Sequence, residues 1–239
     1  MNMRHMHCAP LRISIFIISL FISTLGIVLI TRAELGTSPI SAVPFVLSLY
    51  LPWTFGQLTM AMNVVFVLGQ VFLLGRDFPK VQWLQLVVAL IFSASIDGWM
   101  HILSFVQDLS LITSLIVLVL GCMTLAFGIC IEVASQVLLV SGDGIVKAIA
   151  HVLHWRMGST KVCFDCCLAL TGLILSTIYG GFGVITGLGI GTVISAVLVG
   201  RFVNLFNNQL FFIERLARLS LYDGKKKEAA QAASVQETK

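Results

Sequence analysis

Charge is scarce in this sequence. Of its 239 residues only 11% are Asp, Glu, Lys or Arg, against about 25% in an ordinary soluble domain. That shortage excludes a soluble enzyme of ordinary composition, a disordered chain and a nucleic-acid-binding domain. The charge that exists lies mostly at the margins. Two of the 26 charged residues precede residue 13, eleven lie at or after Arg201, and thirteen remain for the 188 residues between. Most of the net charge of +4 comes from the C-terminal tail, which suits a membrane surface better than a nucleic acid. No disulfide framework is readable in the six cysteines. Five of them (Cys122, Cys130, Cys163, Cys166, Cys167) sit in apolar stretches, where a free thiol behaves as a small hydrophobe. The spans carry no paired nucleophile and base, no metal-ligand motif and no phosphate loop. The reading is therefore not an enzyme, with no cofactor and no bound metal.

Apolar length is abundant. The chain is 58% hydrophobic, with a mean hydropathy of +0.99. Crossing a bilayer core takes about 20 apolar residues, and six stretches qualify: 13–31, 55–75, 83–106, 111–133, 159–179 and 184–205. The first is too long for a signal-peptide core, and Thr31-Arg32-Ala33-Glu34 is a poor cleavage site, so it reads as an uncleaved span. Basic residues in short connections set the orientation. Arg4, Arg12, Arg76, Lys80, Lys147, Arg156, Lys161, Arg201, Arg215, Arg218 and Lys225-Lys226-Lys227 all fall on one side, which places both termini in the cytoplasm. Arg32 is the one basic residue in the outer connections.

Two further apolar segments, 39–51 and 142–154, are too short to span and read as re-entrant or interfacial helices. Gly36-Thr37-Ser38-Pro39 introduces the first and Ser141-Gly142-Asp143-Gly144 the second, both of them helix-start chemistry. Shifting the chain by 102 residues aligns it with itself without gaps over most of its length. Gly26-Ile27 falls on Gly128-Ile129, and Leu51-x-Trp53-x-x-Gly56 on Leu153-x-Trp155-x-x-Gly158. Ser93-Ala94-x-x-x-Gly98 falls on Ser195-Ala196-x-x-x-Gly200. Each unit holds three spans, so the second is inverted relative to the first, as in many secondary transporters.

The segment Arg32–Pro39 resembles the opening signature of the YczE/YitT-like bacterial integral membrane proteins. So does Leu188-Gly189-Ile190-Gly191-Thr192 leading to Gly200. Arg201 departs from the pattern, where a small residue or proline is expected. The resemblance covers residues 13–205 and implies a small multi-pass protein of the bacterial inner (plasma) membrane. It implies no substrate.

Ionisable and polar groups inside spans are functional candidates, because insertion scales charge about 2.5–3.5 kcal/mol for each ionised one. Asp97 and His101 lie four residues apart on one helix face, an arrangement suited to proton relay. The plain alternatives are a buried polar pair or an interfacial histidine. Glu132 is buried if its helix runs on to 139 and interfacial if it stops at 133, and it too is a candidate for proton coupling. Asp165 is the repeat mate of Asn63, and such paired polar positions suit a central site as well as an interhelical hydrogen bond. Thr37, Ser38, Ser141 and Asp143 sit at the two helix starts, whose free N–H groups and partial positive charge could hold a small polar solute. Asp143 could equally be a simple cap.

Other patterns read more plainly. Gly187-x-Gly189-x-Gly191 is a close-packing face, and Cys163-x-x-Cys166-Cys167 is core packing. His5-Met6-His7-Cys8 is a mobile terminus with ligand-type side chains.

The expected architecture is an all-α membrane protein of six transmembrane helices plus two short re-entrant or interfacial helices, in an inverted 3+3 repeat. It comprises a cytoplasmic terminus (1–12), two repeats (13–107 and 111–205), an amphipathic interfacial helix (206–222) and a disordered basic tail (223–239). The expected partners are the lipid bilayer and an unidentified small solute or ion, not a nucleic acid; a homo-oligomer stays open. The expected function is a secondary transporter or permease. The alternatives are a membrane accessory protein serving a partner enzyme, or a passive channel.

Overall fold

In the computed structural model, the described residues are 9–107, 109–135, 137–180 and 187–209. Among them there is no strand, and eight α-helices carry the fold: α1 (Ala9–Arg32), α2 (Ala42–Tyr50), α3 (Phe55–Leu74), α4 (Leu84–Ile102), α5 (Leu111–Ser135), α6 (Ser141–Leu153), α7 (Met157–Gly180) and α8 (Ile190–Gln209). Five stretches are long and apolar enough to cross a membrane: Arg12–Arg32, Phe55–Asp77, Lys80–Ile102, Leu111–Ser135 and Met157–Gly180. The apolar part of α8, Ile190–Phe206, is shorter. The surface agrees with a lipid surround. Large apolar side chains such as Val65, Leu68, Phe72, Leu90, Ile112, Ile116, Val162, Ile174, Ile178 and Val193 are exposed around the bundle, far more than water tolerates on one domain.

The core is built on α1. Its most extensive partner is α5, and α5 in turn packs on α8. Small residues let the α1 and α5 backbones approach. A Cβ on Gly26 would collide with the backbone of Leu125, and one on Gly128 with Ser23. Such small-residue crossings drive helix association in lipid, where apolar burial gives no net gain. Three α1 hydroxyls bond within the helix, Ser19 Oγ donating to Phe16 O, Thr24 Oγ1 to Leu20 O and Thr31 Oγ1 to Ile27 O, whereas Ser23 Oγ, against Gly128, is buried without a partner. Both ends of α1 are also tied down. Arg12 donates from Nε and Nη2 to Ser135 O, the last residue of α5, at 3.0 and 2.8 Å. Arg32 Nη2 donates to Met100 O on α4 at 2.7 Å.

The two short helices are packed between long ones. A 3-10 turn (Pro39–Ser41) leads into α2, which lies against α7 and α3; α6 lies against α3 and α7. The first start matches its sequence signal, with Ser38 at the cap position and Pro39 first in the turn. The second begins one residue earlier than expected, with Val140 at the cap position and no side chain bonded to its free N–H groups. α4 ends at Ile102 rather than near 106, so Asp97 lies in its penultimate turn and not at a span centre. Cys122 and Cys130 are buried, but Cys163, Cys166 and Cys167 are exposed on the outer face of α7, which corrects the packing expectation for that run. The tail, most of the 206–222 segment and His5-Met6-His7-Cys8 lie outside the described residues.

Candidate functional site

The starts of the two short helices meet. Ile40, in the turn before α2, packs its Cδ1 onto Gly142 at the start of α6, so closely that a Cβ there would collide with it; Phe66 of α3 closes the contact. Polar groups gather on either side of this meeting point.

On the first side the groups are neutral. Thr37 is fully buried. Its N–H donates to Thr192 Oγ1 at 3.2 Å, its carbonyl accepts from Ser195 Oγ at 3.1 Å, and its hydroxyl lies 3.1 Å from that of Thr31. Ser38 Oγ donates to Ser41 Oγ at 2.9 Å. The chain here is locked to the start of α8, since Gly191 N donates to Leu35 O at 2.8 Å. Gly189 and Gly191 both face Leu35 O, where a Cβ would clash, so the glycine run is a close-packing face as expected. Residues 32–39 and 188–192 thus touch each other directly.

On the second side the groups are amides and charges. Lys161 Nζ donates to Asp143 Oδ1 at 2.9 Å and lies 3.6 Å from Asp165 Oδ1, one turn further along α7. Asp143 therefore bridges α6 to α7 instead of capping its own helix. Glu132 is buried, because α5 continues to Ser135. Its carboxylate faces the backbone of Val140 and lies within charge-interaction range of Asp143 and Lys161.

Deeper on this side is a cluster that sequence reasoning did not single out. Gln70 of α3 and Gln85 of α4 are completely buried. Gln70 Nε2 donates to Gln85 Oε1 at 3.0 Å and to Ser141 O at 3.2 Å. Three atoms here lack a hydrogen-bond partner: Gln70 Oε1, Gln85 Nε2 and Ser141 Oγ. A buried orphan of this kind costs about 1–3 kcal/mol. The signal was present in the sequence as two glutamines within apolar runs.

The remaining candidates are placed elsewhere. Asp97 accepts from Thr54 Oγ1 at 2.6 Å and from Gly56 N at 2.7 Å. Thr54 and Gln57 form a capping box at the same helix start, so Asp97 anchors the beginning of α3. His101 is exposed at the end of α4, and among the described residues its ring is not brought to a polar partner. Asn63 is buried within α3. Among the described residues, no group of three His, Cys, Asp or Glu side chains is placed to hold a metal ion.

No curated protein and no solved structure matches this chain. A family profile does match, over residues 10–208, which takes in all eight helices but for the first residue of α1 and the last of α8. The chain belongs to this family, DUF6198, a family of unknown function.

Proposed function

We propose that the chain is a secondary transporter or permease for a small polar solute, built as an inverted repeat of two three-span halves, with α8 as the sixth span and both termini in the cytoplasm of a bacterial cell. The observation that carries this reading is the meeting of the two short-helix starts, Ile40 on Gly142, between buried polar groups. Discontinuous helices whose ends converge on a polar interior are how transporter folds expose backbone N–H groups to a solute.

The packing supports the repeat. The short helix of each half packs on the second long helix of the other: α2 on α7, and α6 on α3. The register agrees too. The close pair Ala42–Gly172 becomes Gly144–Gln70 when both numbers shift by 102, and Gly26–Leu125 becomes Gly128–Ser23. Ile40 and Gly142 are each other's mates under the same shift, as residues on a pseudo-symmetry axis would be. The two segments that carry the likeness to YczE/YitT-like proteins are joined by the Gly191–Leu35 hydrogen bond.

A second reading has one observation in its favour. Asp97, Asp143 and Asp165 all have intramolecular partners, as they would in an accessory protein whose polar groups only hold it together. Solute counterflow into proteoliposomes separates the two. Transport that saturates and is lost in Ser141→Val and Gly142→Leu, with both variants still folded, supports the carrier. A folded, reconstituted protein that moves no solute while co-purifying with a membrane enzyme supports the accessory role.

A further inference from the structure

A cavity of about 300 Å³ opens beside the first helix start, lined by Thr31, Arg32, Glu34, Phe45, Leu49 and Met100, with Gly36 and Gly187 completing the wall. We infer that this cavity binds a small apolar α-amino acid as its zwitterion. The inference names the solute of the transporter reading, and it rests on that reading for any movement of the solute after capture.

Charge carries the argument. Arg32 and Glu34 line the same cavity with opposite charges, yet among the described residues neither takes part in an ion pair. Arg32 is fixed by its Nη2 bond to Met100 O, while its Nε is buried without a hydrogen-bond partner. A guanidinium that lines a cavity is matched to a carboxylate, which it binds through directed, charge-assisted hydrogen bonds. Glu34 is exposed at the rim and offers a partner for an ammonium group. Its backbone sits at φ 58°, in the left-handed region that a non-glycine residue seldom adopts, and such strain recurs at ligand sites.

Shape agrees with charge. Phe45, Leu49 and Met100 give the cavity an apolar wall for a hydrocarbon side chain. Gly187, at φ 78°, contributes no side chain; a Cβ there would press on Leu49 and Phe45. The volume lies at the small end of ligand pockets, about 300–1,000 Å³, which suits a molecule of amino-acid size. Thr31 of the lining is hydrogen-bonded to Thr37, which ties the cavity wall to the first short-helix start.

The test is a thermal melt of the purified full chain in detergent with L-leucine, 4-methylvalerate and isoamylamine at matched concentrations. The expected result is a dose-dependent rise in Tm with leucine alone. Glu34→Gln should keep the ligand-free Tm and abolish the leucine shift. Arg32→Lys, which keeps the charge but not the planar fork, should weaken apparent affinity about tenfold or more, and Arg32→Gln should abolish it. Should Arg32→Gln unfold, Glu34→Gln decides.

The inference is overturned if 4-methylvalerate or isoamylamine shifts Tm as far as leucine, if Glu34→Gln retains the leucine shift, or if well-folded protein shows no shift. Leucine counterflow separates this inference from the wider reading. Binding without counterflow keeps the site and removes the carrier. Counterflow of another solute without leucine binding removes the site and keeps the carrier.

Discussion

Asp97 uses both carboxylate oxygens on the start of α3, through Thr54 and Gly56. Asp97→Ala should therefore lower stability by about 2 kcal/mol, within the range for hydrogen bonds to a charged group, while solute flux per folded molecule stays unchanged. Chemical denaturation alongside proteoliposome counterflow checks both halves, and lost flux at unchanged stability would refute the anchoring role. Lys161 is a sharper case, because it faces two carboxylates at once. Lys161→Met should cost about 2 kcal/mol, less than the 3–5 kcal/mol of a fully buried broken pair, since all three side chains are about a third exposed or less. Adding Asp143→Asn and Asp165→Asn should recover most of that loss, as read from the same denaturation curves. The sequence flagged the three aspartates because ionisable residues in apolar runs stand out. The i,i+4 spacing of Lys161 and Asp165 on α7 was legible, but the partners of Asp97 and Asp143 were not, because Thr54 and Lys161 lie far along the chain from them and become neighbours only on packing. Gln70 and Gln85 escaped notice because an amide carries no charge, although buried it makes the same demand for partners.

At the scale of the helix, glycines separate crossings from free surface. Gly26 of α1 lies against the backbone of α5, whereas Gly98 of α4 has nothing near the place of a Cβ. Gly98→Ala should thus stabilise by about 1 kcal/mol through helix propensity alone. Gly26→Val should destabilise by at least about 1–3 kcal/mol, the usual cost of overpacking. Comparing the two by unfolding in mixed micelles tests the α1–α5 crossing directly. The five long apolar helices were readable from apolar length, and the short segments from their Gly, Ser and Pro starts. The ends were harder. Nothing local marks the stop of α4 at Ile102, near which Arg32 Nη2 donates to Met100 O and Trp99 Nε1 to Phe21 O. The second start lies one residue before 142, and Asp143, which resembles a cap in sequence, turns its carboxylate to Lys161 on another helix.

For the whole molecule, the exchange of short helices between halves means that neither half buries its own polar groups. Gln70 needs Ser141, and Thr37 needs Thr192 and Ser195. Residues 1–107 expressed alone should be degraded, and 108–239 likewise, whereas co-expression should let one tagged fragment recover the other. A stable, monodisperse 1–107 fragment would contradict this interdependence. The sequence did not say which long helices each short helix would pack against, because periodicity carries no information about pairing between distant segments.

The dominance of the α1–α5 pair also has a temporal meaning. α1 buries Ser19 and Thr24 and carries Ser23 on the face that awaits Gly128 of α5, yet 78 residues separate the end of one helix from the start of the other. At about 5–20 residues per second of synthesis, that face spends roughly 4–16 s without its partner. The backbone bonds made by Ser19 and Thr24 within α1 act during that interval, letting a hydroxyl-bearing helix wait at the insertion machinery until its mate is translated.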